Sequence, residues 1–401
     1  MPARCRLLAG SVGPERVPAR PDPEDADWYL PLHVRDARSA RERIAALIAA
    51  GADVVVAPTW LTHRRALLPL GETRRAAEWS AAAVRLAREG VEIGLERRAE
   101  INAEAAADGQ ADPVLQRPQP MVAASLPALD DDPEIETGRL LPQEAATQRD
   151  YRDQAGYLAD AAADLLAVEG QRSTGSARAA IAEAAGTGLP VWAALSQGSI
   201  AETGLEAWLA WARATGVERI LVPPPLASHR VLLDAGTGWG GLPAAAGEVP
   251  DWLGSGADVL ARVDRADEDA VSKLRAAIDD VEREALRLER AATDRWHDHV
   301  RDAASVAPGG AAAWVGSAPE RALPAGFAWA VVPPEGAAQL PSDHFRLLVV
   351  ADASTPGVEA ALERGGVLAS RAPIRGAARD LRVIRVSDER EPPLLLYRRE
   401  G

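Results

Sequence analysis

From residue 6 to about residue 283, short apolar runs alternate with stretches rich in Ala, Leu, Arg and Glu, in which apolar residues recur every three to four positions. The short runs fall at 6–10, 53–57, 121–125, 164–168, 190–195, 219–223, 230–234 and 258–262, and each has the length and the Val/Leu/Ala content of a buried strand. The intervening spacing predicts amphipathic helices over 40–50, 76–90, 144–163, 176–186 and 202–216, several closed by a glycine that suits the left-handed end of a helix. Eight strands with helical crossovers in under 300 residues predict an α/β fold of the (β/α)8 TIM-barrel type. An open doubly wound sheet fits less well, because no glycine-rich phosphate loop opens a helix after the first strand.

Two stretches break the alternation. Residues 97–119 are long and polar, and residues 236–255 are rich in Gly, Pro and Trp; both are expected to be loops around the barrel, the second on the side where a ligand enters. Residues 267–300 read as a long charged helix ending in Trp296-His297-Asp298-His299, with the two histidines on a solvated face. From residue 308 a second α/β pattern begins, with strands expected at 313–316, 328–333, 345–352, 366–370, 381–387 and 394–398 and a helix over 355–364. Its final hairpin-like pair and the turn Gly365-Gly366-Val367-Leu368 are similar to the last part of nucleotide-binding methyltransferase folds, but no G-x-G-x-G loop accompanies them. The chain therefore divides into a barrel over 1–283, a helical connector over 284–307 and a small α/β appendage of unknown role over 308–401.

Charge and composition narrow the function. The 401 residues carry 59 Asp and Glu against 45 Lys and Arg, a formal charge of −14, so the surface on average repels phosphate backbones and anionic lipid, and neither nucleic acid nor a membrane is an expected partner. The first residues lead into an apolar run too short for a signal peptide, which points to a cytoplasmic protein. Cys5 is the only cysteine, which excludes internal disulfides and any multi-thiolate metal site within one chain. Lys273 is the only lysine and falls in a helical pattern after the last barrel strand, so Schiff-base chemistry at a strand end is excluded.

Several phrases in order resemble homocysteine S-methyltransferases. Leu7-Leu8-Ala9-Gly10-Ser11 is similar to an opening L-x-D-G-G, and Ala50-Gly51-Ala52-Asp53 running on to Pro58-Thr59-Trp60 is similar to A-G-A-D-I-I-T-T-N-T-Y. Val122-Ala123-Ala124-Ser125-Leu126 resembles V-A-G-S-L. Tyr151-Arg152-Asp153-Gln154 resembles F-H-x-x-Q, Leu165 to Glu169 a strand ending L-L-x-E-T, and Gly188-Leu189-Pro190-Val191-Trp192 the phrase G-L-P-V-W. The run from Gly256 to Val271 resembles, without a gap, G-A-x-I-V-G-G-C-C-G-T-T-P-E-H-I.

The likeness covers residues 6–283 and implies a barrel that transfers a methyl group to the homocysteine thiol to give methionine. It also implies a zinc ion held by three cysteines, one after strand six and a pair after strand eight, because a thiol near its ordinary pKa attacks poorly until a metal deprotonates it. In this chain the pair is Val263 and Asp264, and the strand-six position lies near Pro223. No cofactor is therefore expected, although zinc is expected for the family. The opening acidic residue is Ala9 and the Asn of N-T is Pro58, while Glu169, Thr59 and Ser125 remain. On the resemblance, Glu169 with Thr59 and Ser125 would bind a small amino-acid-like ligand, Glu169 pairing with its ammonium.

Other constellations carry less. His63 and Asp264 follow strands two and eight and His229 falls near strand seven, and the three offer N/O metal ligands without a spacing pattern. Ser196, His229 and Glu169 could be drawn as a nucleophile, base and orienter, but no G-x-S-x-G elbow supports them. Most tryptophans read as core; Trp60 and Trp239 fall in expected mouth loops. Two functions follow: a divergent methyltransferase-family barrel with altered or lost activity, or a non-catalytic barrel that binds a small ligand or a protein partner.

Overall fold

A computed structural model describes residues 5–10, 31–68, 70–107, 117–129, 144–169, 174–195, 200, 204–222, 238–241, 246–262, 268–307, 309–315, 317, 319, 322–333, 339–342, 344–351, 361–370, 381–386 and 395–399. The chain divides into two compact units, residues 1–283 and 284–401. The first is a closed barrel of eight parallel strands: β1 (Arg6–Ala9), β2 (Val54–Ala57), β3 (Met121–Leu126), β4 (Leu165–Val168), β5 (Val191–Ala194), β6 (Arg219–Val222), β7 (Gly238–Gly241) and β8 (Val259–Arg262). β8 closes on β1 with Arg6 opposite Val259 and Ala9 opposite Arg262.

Strand alternation sorts the apolar residues into two cores. Leu8, Val54, Val56, Ala123, Leu165, Ala167, Trp192, Leu221, Val259 and Ala261 fill the barrel, while their neighbours Leu7, Val55, Val122, Leu166, Val191, Ile220 and Leu260 pack outward against helices. Trp192 is fully buried and supplies much of the interior volume opposite small alanines, with the Arg219 guanidinium 5.0 Å from its ring centre.

The outer layer is α1 (Leu32–Arg35), α2 (Ala37–Ala49), α3 (Arg64–Leu67), α4 (Ala76–Ala107), α5 (Glu144–Asp160), α6 (Thr174–Ala185), α7 (Leu205–Thr215), α8 (Val249–Gly254) and the first turns of α9 (Glu268–Val306). α2 begins where Asp36 accepts from the Ser39 N–H, and α7 ends at Gly216 in the left-handed conformation.

Two sequence expectations fail in this unit. The seventh strand is not at 230–234, which lie outside the described residues, but at Gly238–Gly241, inside the stretch read as a mouth loop; Trp239 therefore sits on a strand. A Cβ at Gly240 would lie 2.4 Å from the Val259 carbonyl oxygen and 2.7 Å from Leu221 Cδ2, so closure demands glycine where strand propensity would ask for a branched residue. The polar stretch from 97 is helical as far as 107. α4 packs tightly on α2, where a Cβ at Gly90 or Gly94 would meet Ile44 or Ile48 at 2.8 or 2.6 Å, and Arg98 of α4 donates from Nε to the Ile48 carbonyl and from Nη2 to the Ala52 carbonyl.

At the amino-terminal ends of the strands, Asp53 accepts from the Leu7 N–H and from Arg275, whose Nε bonds Asp279, and Arg117 bonds the other Asp279 oxygen. These ties join the entry of β1 to α9 through a buried ion pair.

In the second unit, β9 (Gly310–Val315), β10 (Phe327–Val332), β11 (Phe345–Val350), β12 (Leu362–Ser370), β13 (Leu381–Val386) and β14 (Leu395–Arg399) form one sheet in the order β10-β9-β11-β12-β14-β13. β9 to β12 are parallel, and β14 runs antiparallel between β12 and β13. The last turns of α9 cover one face through Trp296, Val300 and Ala303, which pack on Ala312, Trp314, Leu347 and Val349. His297 and His299 are buried, not solvated, with the His299 ring 5.7 Å from that of Trp296. The helix expected over 355–364 is strand from Leu362 onward, because pairing with β11 outweighs local helix propensity; 352–360 lie outside the described residues. Among the described residues no helix is long and apolar enough to cross a membrane.

Candidate functional site

In a parallel barrel the chemistry sits at the carboxyl ends of the strands, where loops leave the sheet and side chains project into the mouth. Three of these ends converge here. Thr59 follows β2, Ser125 lies near the end of β3, and Glu169 is the residue after β4. Ser125 and Glu169 lie two residues beyond Ala123 and Ala167, which face the barrel interior, so alternation directs both toward the mouth.

The three residues form one buried unit. The Ser125 N–H donates to Thr59 Oγ1 at 2.8 Å, and Thr59 Oγ1 donates back to the Ser125 carbonyl at 3.0 Å. Ser125 Oγ in turn donates to the Glu169 carboxyl. Thr59 and Ser125 are essentially inaccessible, and Glu169 keeps 5% exposure. Burial pushes the Glu169 carboxyl up to about 8, against the opposing pull of the Ser125 hydroxyl, so the group is mostly protonated at neutral pH. A buried, hydrogen-bonded carboxyl at a barrel mouth can take up a cation by losing its proton, or donate one.

Behind this unit the turn after β2 is tied to two helices. Thr62 Oγ1 donates to the Thr59 carbonyl at 2.9 Å, Ser80 Oγ of α4 donates to Thr62 Oγ1 at 2.8 Å, and Gln154 Nε2 of α5 donates to both hydroxyls. His63 caps α3, its Nδ1 accepting from the Ala66 N–H, and burial lowers its pKa to about 3. That nitrogen is thus committed to the helix cap rather than open to a metal.

Sequence reasoning missed His33. It lies on α1 with 6% exposure, and among the described residues neither ring nitrogen makes a hydrogen bond of ordinary geometry. Burial lowers its pKa to about 4, with a weaker opposite pull from the Pro58 carbonyl, which places it behind the same β2 turn. No periodicity or motif marks it in the sequence.

The remaining candidates divide. Trp60 is half-buried in the turn after β2. Ala9 is buried in the cluster shared by sheet and helices. Pro223, Val263, Asp264, Ser196 and His229 lie outside the described residues. Cys5 is buried at the start of β1, the end opposite the mouth, where burial raises its thiol pKa far above the ordinary range. Among the described residues no group of three or more His, Cys, Asp or Glu side chains is arranged to hold a metal ion.

Residues 32–222 match the family model described as homocysteine S-methyltransferase, a span that runs from α1 to the end of β6 and contains the whole Thr59–Ser125–Glu169 unit. Over that span the barrel resembles the homocysteine S-methyltransferase family. Among solved structures, this barrel is similar to the metallated form of the homocysteine methyltransferase MmuM from Escherichia coli, at 20% identity and a TM-score of 0.52, covering 68% of this chain and 96% of that one. The oxidized form of the same enzyme superposes with a TM-score of 0.51 at 20% identity, covering 68% and 95%. The curated proteins contain no match. At this identity the likeness to solved structures speaks for the fold.

Proposed function

We propose that the barrel mouth binds a small amino-acid-like ligand through Glu169, and that thiol methylation by a thiolate-held zinc ion is altered or lost in this chain. The observation that carries the first part is the buried Glu169 carboxyl, oriented by Ser125, whose backbone is held in turn by Thr59. An ammonium entering this pocket stabilises the carboxylate and displaces its proton, so binding releases a proton near neutral pH. The second part rests on the donor set. Valine and proline side chains offer a metal nothing, Asp264 offers only oxygen, and the sole thiol is buried at the far end of the barrel. These residues do not fit a three-cysteine zinc site. The charge of −14 supports a role with small molecules rather than nucleic acid or anionic membranes.

Isothermal titration with homocysteine, methionine and S-methylmethionine tests the ligand. Binding of at least one, abolished by Glu169→Ala and weakening about tenfold for each pH unit below 7, is the expected result. No heat with any of them would overturn it and leave the barrel as a scaffold for other partners. Methionine formation from homocysteine and S-methylmethionine, followed by mass spectrometry in metal-depleted and zinc-supplemented protein, tests the chemistry. Zinc-dependent turnover would overturn the proposed loss.

A further inference from the structure

We propose that Gln154 and Thr62 are positioning residues for Glu169, acting on it through the β2 turn and Ser125. This rests on the reading of Glu169 as the anchor of the ligand site. Every link is buried and directional. Gln154 Nε2 donates to Thr62 Oγ1 at 3.1 Å and to Ser80 Oγ at 3.2 Å, which uses both its protons. Ser80 Oγ passes its own proton to Thr62 Oγ1, so Thr62 accepts twice and has one proton left, which goes to the Thr59 carbonyl. Thr59 is then set to exchange two hydrogen bonds with the Ser125 backbone across the β2–β3 step, and Ser125 Oγ points to Glu169.

The path runs from the outer helices α4 and α5, through one turn, to a carboxyl four hydrogen-bonded steps from Gln154. Gln154 Oε1 is buried and has no partner among the described residues, and reversing a hydroxyl donor along the path would leave a further buried group unpaired, a penalty that favours the arrangement seen. Removing the Thr62 hydroxyl takes from the Thr59 carbonyl the shorter of its two hydrogen bonds, leaving that from the Thr62 N–H at 3.2 Å, and loosens the turn. Ser125 then no longer holds its hydroxyl against Glu169, and the carboxylate loses the hydrogen bond that favours its charged form.

The test follows the protonated-carboxyl infrared band of Glu169 against pH in the full-length protein, with the spectrum of Glu169→Gln subtracted to isolate it. Thr62→Val and Gln154→Leu are expected to move its midpoint upward by about one unit, the worth of one hydrogen bond to a carboxylate. Thr62→Ser, which keeps the hydroxyl, is expected to leave the midpoint at the wild-type value. Lowered thermal stability in Thr62→Val and Gln154→Leu with an unmoved Glu169 midpoint would overturn the proposal, since a purely structural network gives that result. The readout needs no ligand, so a shifted midpoint without amino-acid binding would refute the ligand reading and leave the positioning role standing.

Discussion

Replacing Glu169 by Gln should stabilise the barrel, by an amount that depends on pH. The amide oxygen of Gln can still accept from Ser125 Oγ, so the hydrogen bond survives and only the ionisable proton is removed. In the folded protein the carboxyl titrates near 8, against an ordinary value of 4.5. The folded state therefore keeps a proton that the unfolded chain releases above pH 4.5. This contribution to stability is fully present below about pH 4.5 and is lost as pH rises toward 8, at about 1.4 kcal/mol per pH unit. At pH 7 the interval is about 2.5 units, so the wild type gives up about 3 kcal/mol that Glu169→Gln retains. Burying the amide N–H2 adds an offset that does not vary with pH, so the slope carries the test. Urea denaturation of both proteins at pH 4.5, 6, 7 and 8, followed by tryptophan fluorescence, measures the difference directly. The gap in favour of Gln should widen steadily from pH 4.5 to 8. Parallel stability curves for the two proteins would refute the buried, neutral carboxyl and the pocket built on it.

His33 should work in the opposite direction. With its folded pKa lowered to about 4 from 6.5, its stability contribution is present above pH 6.5 and lost as pH falls toward 4, about 2 kcal/mol by pH 5; His33→Phe should flatten the acid limb of the stability curve, and an unchanged limb would place the imidazole in contact with water. Gly240→Ala should cost about 1–3 kcal/mol in urea denaturation, because its Cβ would press on the Val259 carbonyl between two strands, and a neutral effect would mean that β7 does not sit where described. Arg275→Leu should cost about 3–5 kcal/mol by the same measurement, since it leaves Asp53 buried without its cation; a cost below 1 kcal/mol would show that water reaches that carboxylate.

Much of the barrel was legible along the chain because its signals are local. Seven of the eight apolar runs became strands within a residue or two, since a strand buried on both faces must be apolar throughout. Thr59, Ser125 and Glu169 could be singled out because their phrases, in order, resemble those of homocysteine S-methyltransferases. The seventh strand could not be read: Gly-Trp-Gly-Gly has no strand propensity, and its glycines answer to a carbonyl on β8, a constraint from a residue nearly twenty positions away. The helical run to residue 107 was hidden in the same way, since its support comes from contacts with α2 and the carbonyls after it.

Composition and periodicity alone determined the parallel α/β class, the barrel and the single thiol of the chain, while the side-chain types at the mouth came from the resemblance of its phrases to a known family. Only tertiary structure decided that three separate strand ends share one hydrogen-bond chain, that a carboxyl among them is buried enough to stay protonated at neutral pH, and that His33 lies behind the same turn. Burial and hydrogen-bond partners are properties of residues brought together from across the fold, and a carboxyl takes its charge from those neighbours rather than from its place in the sequence.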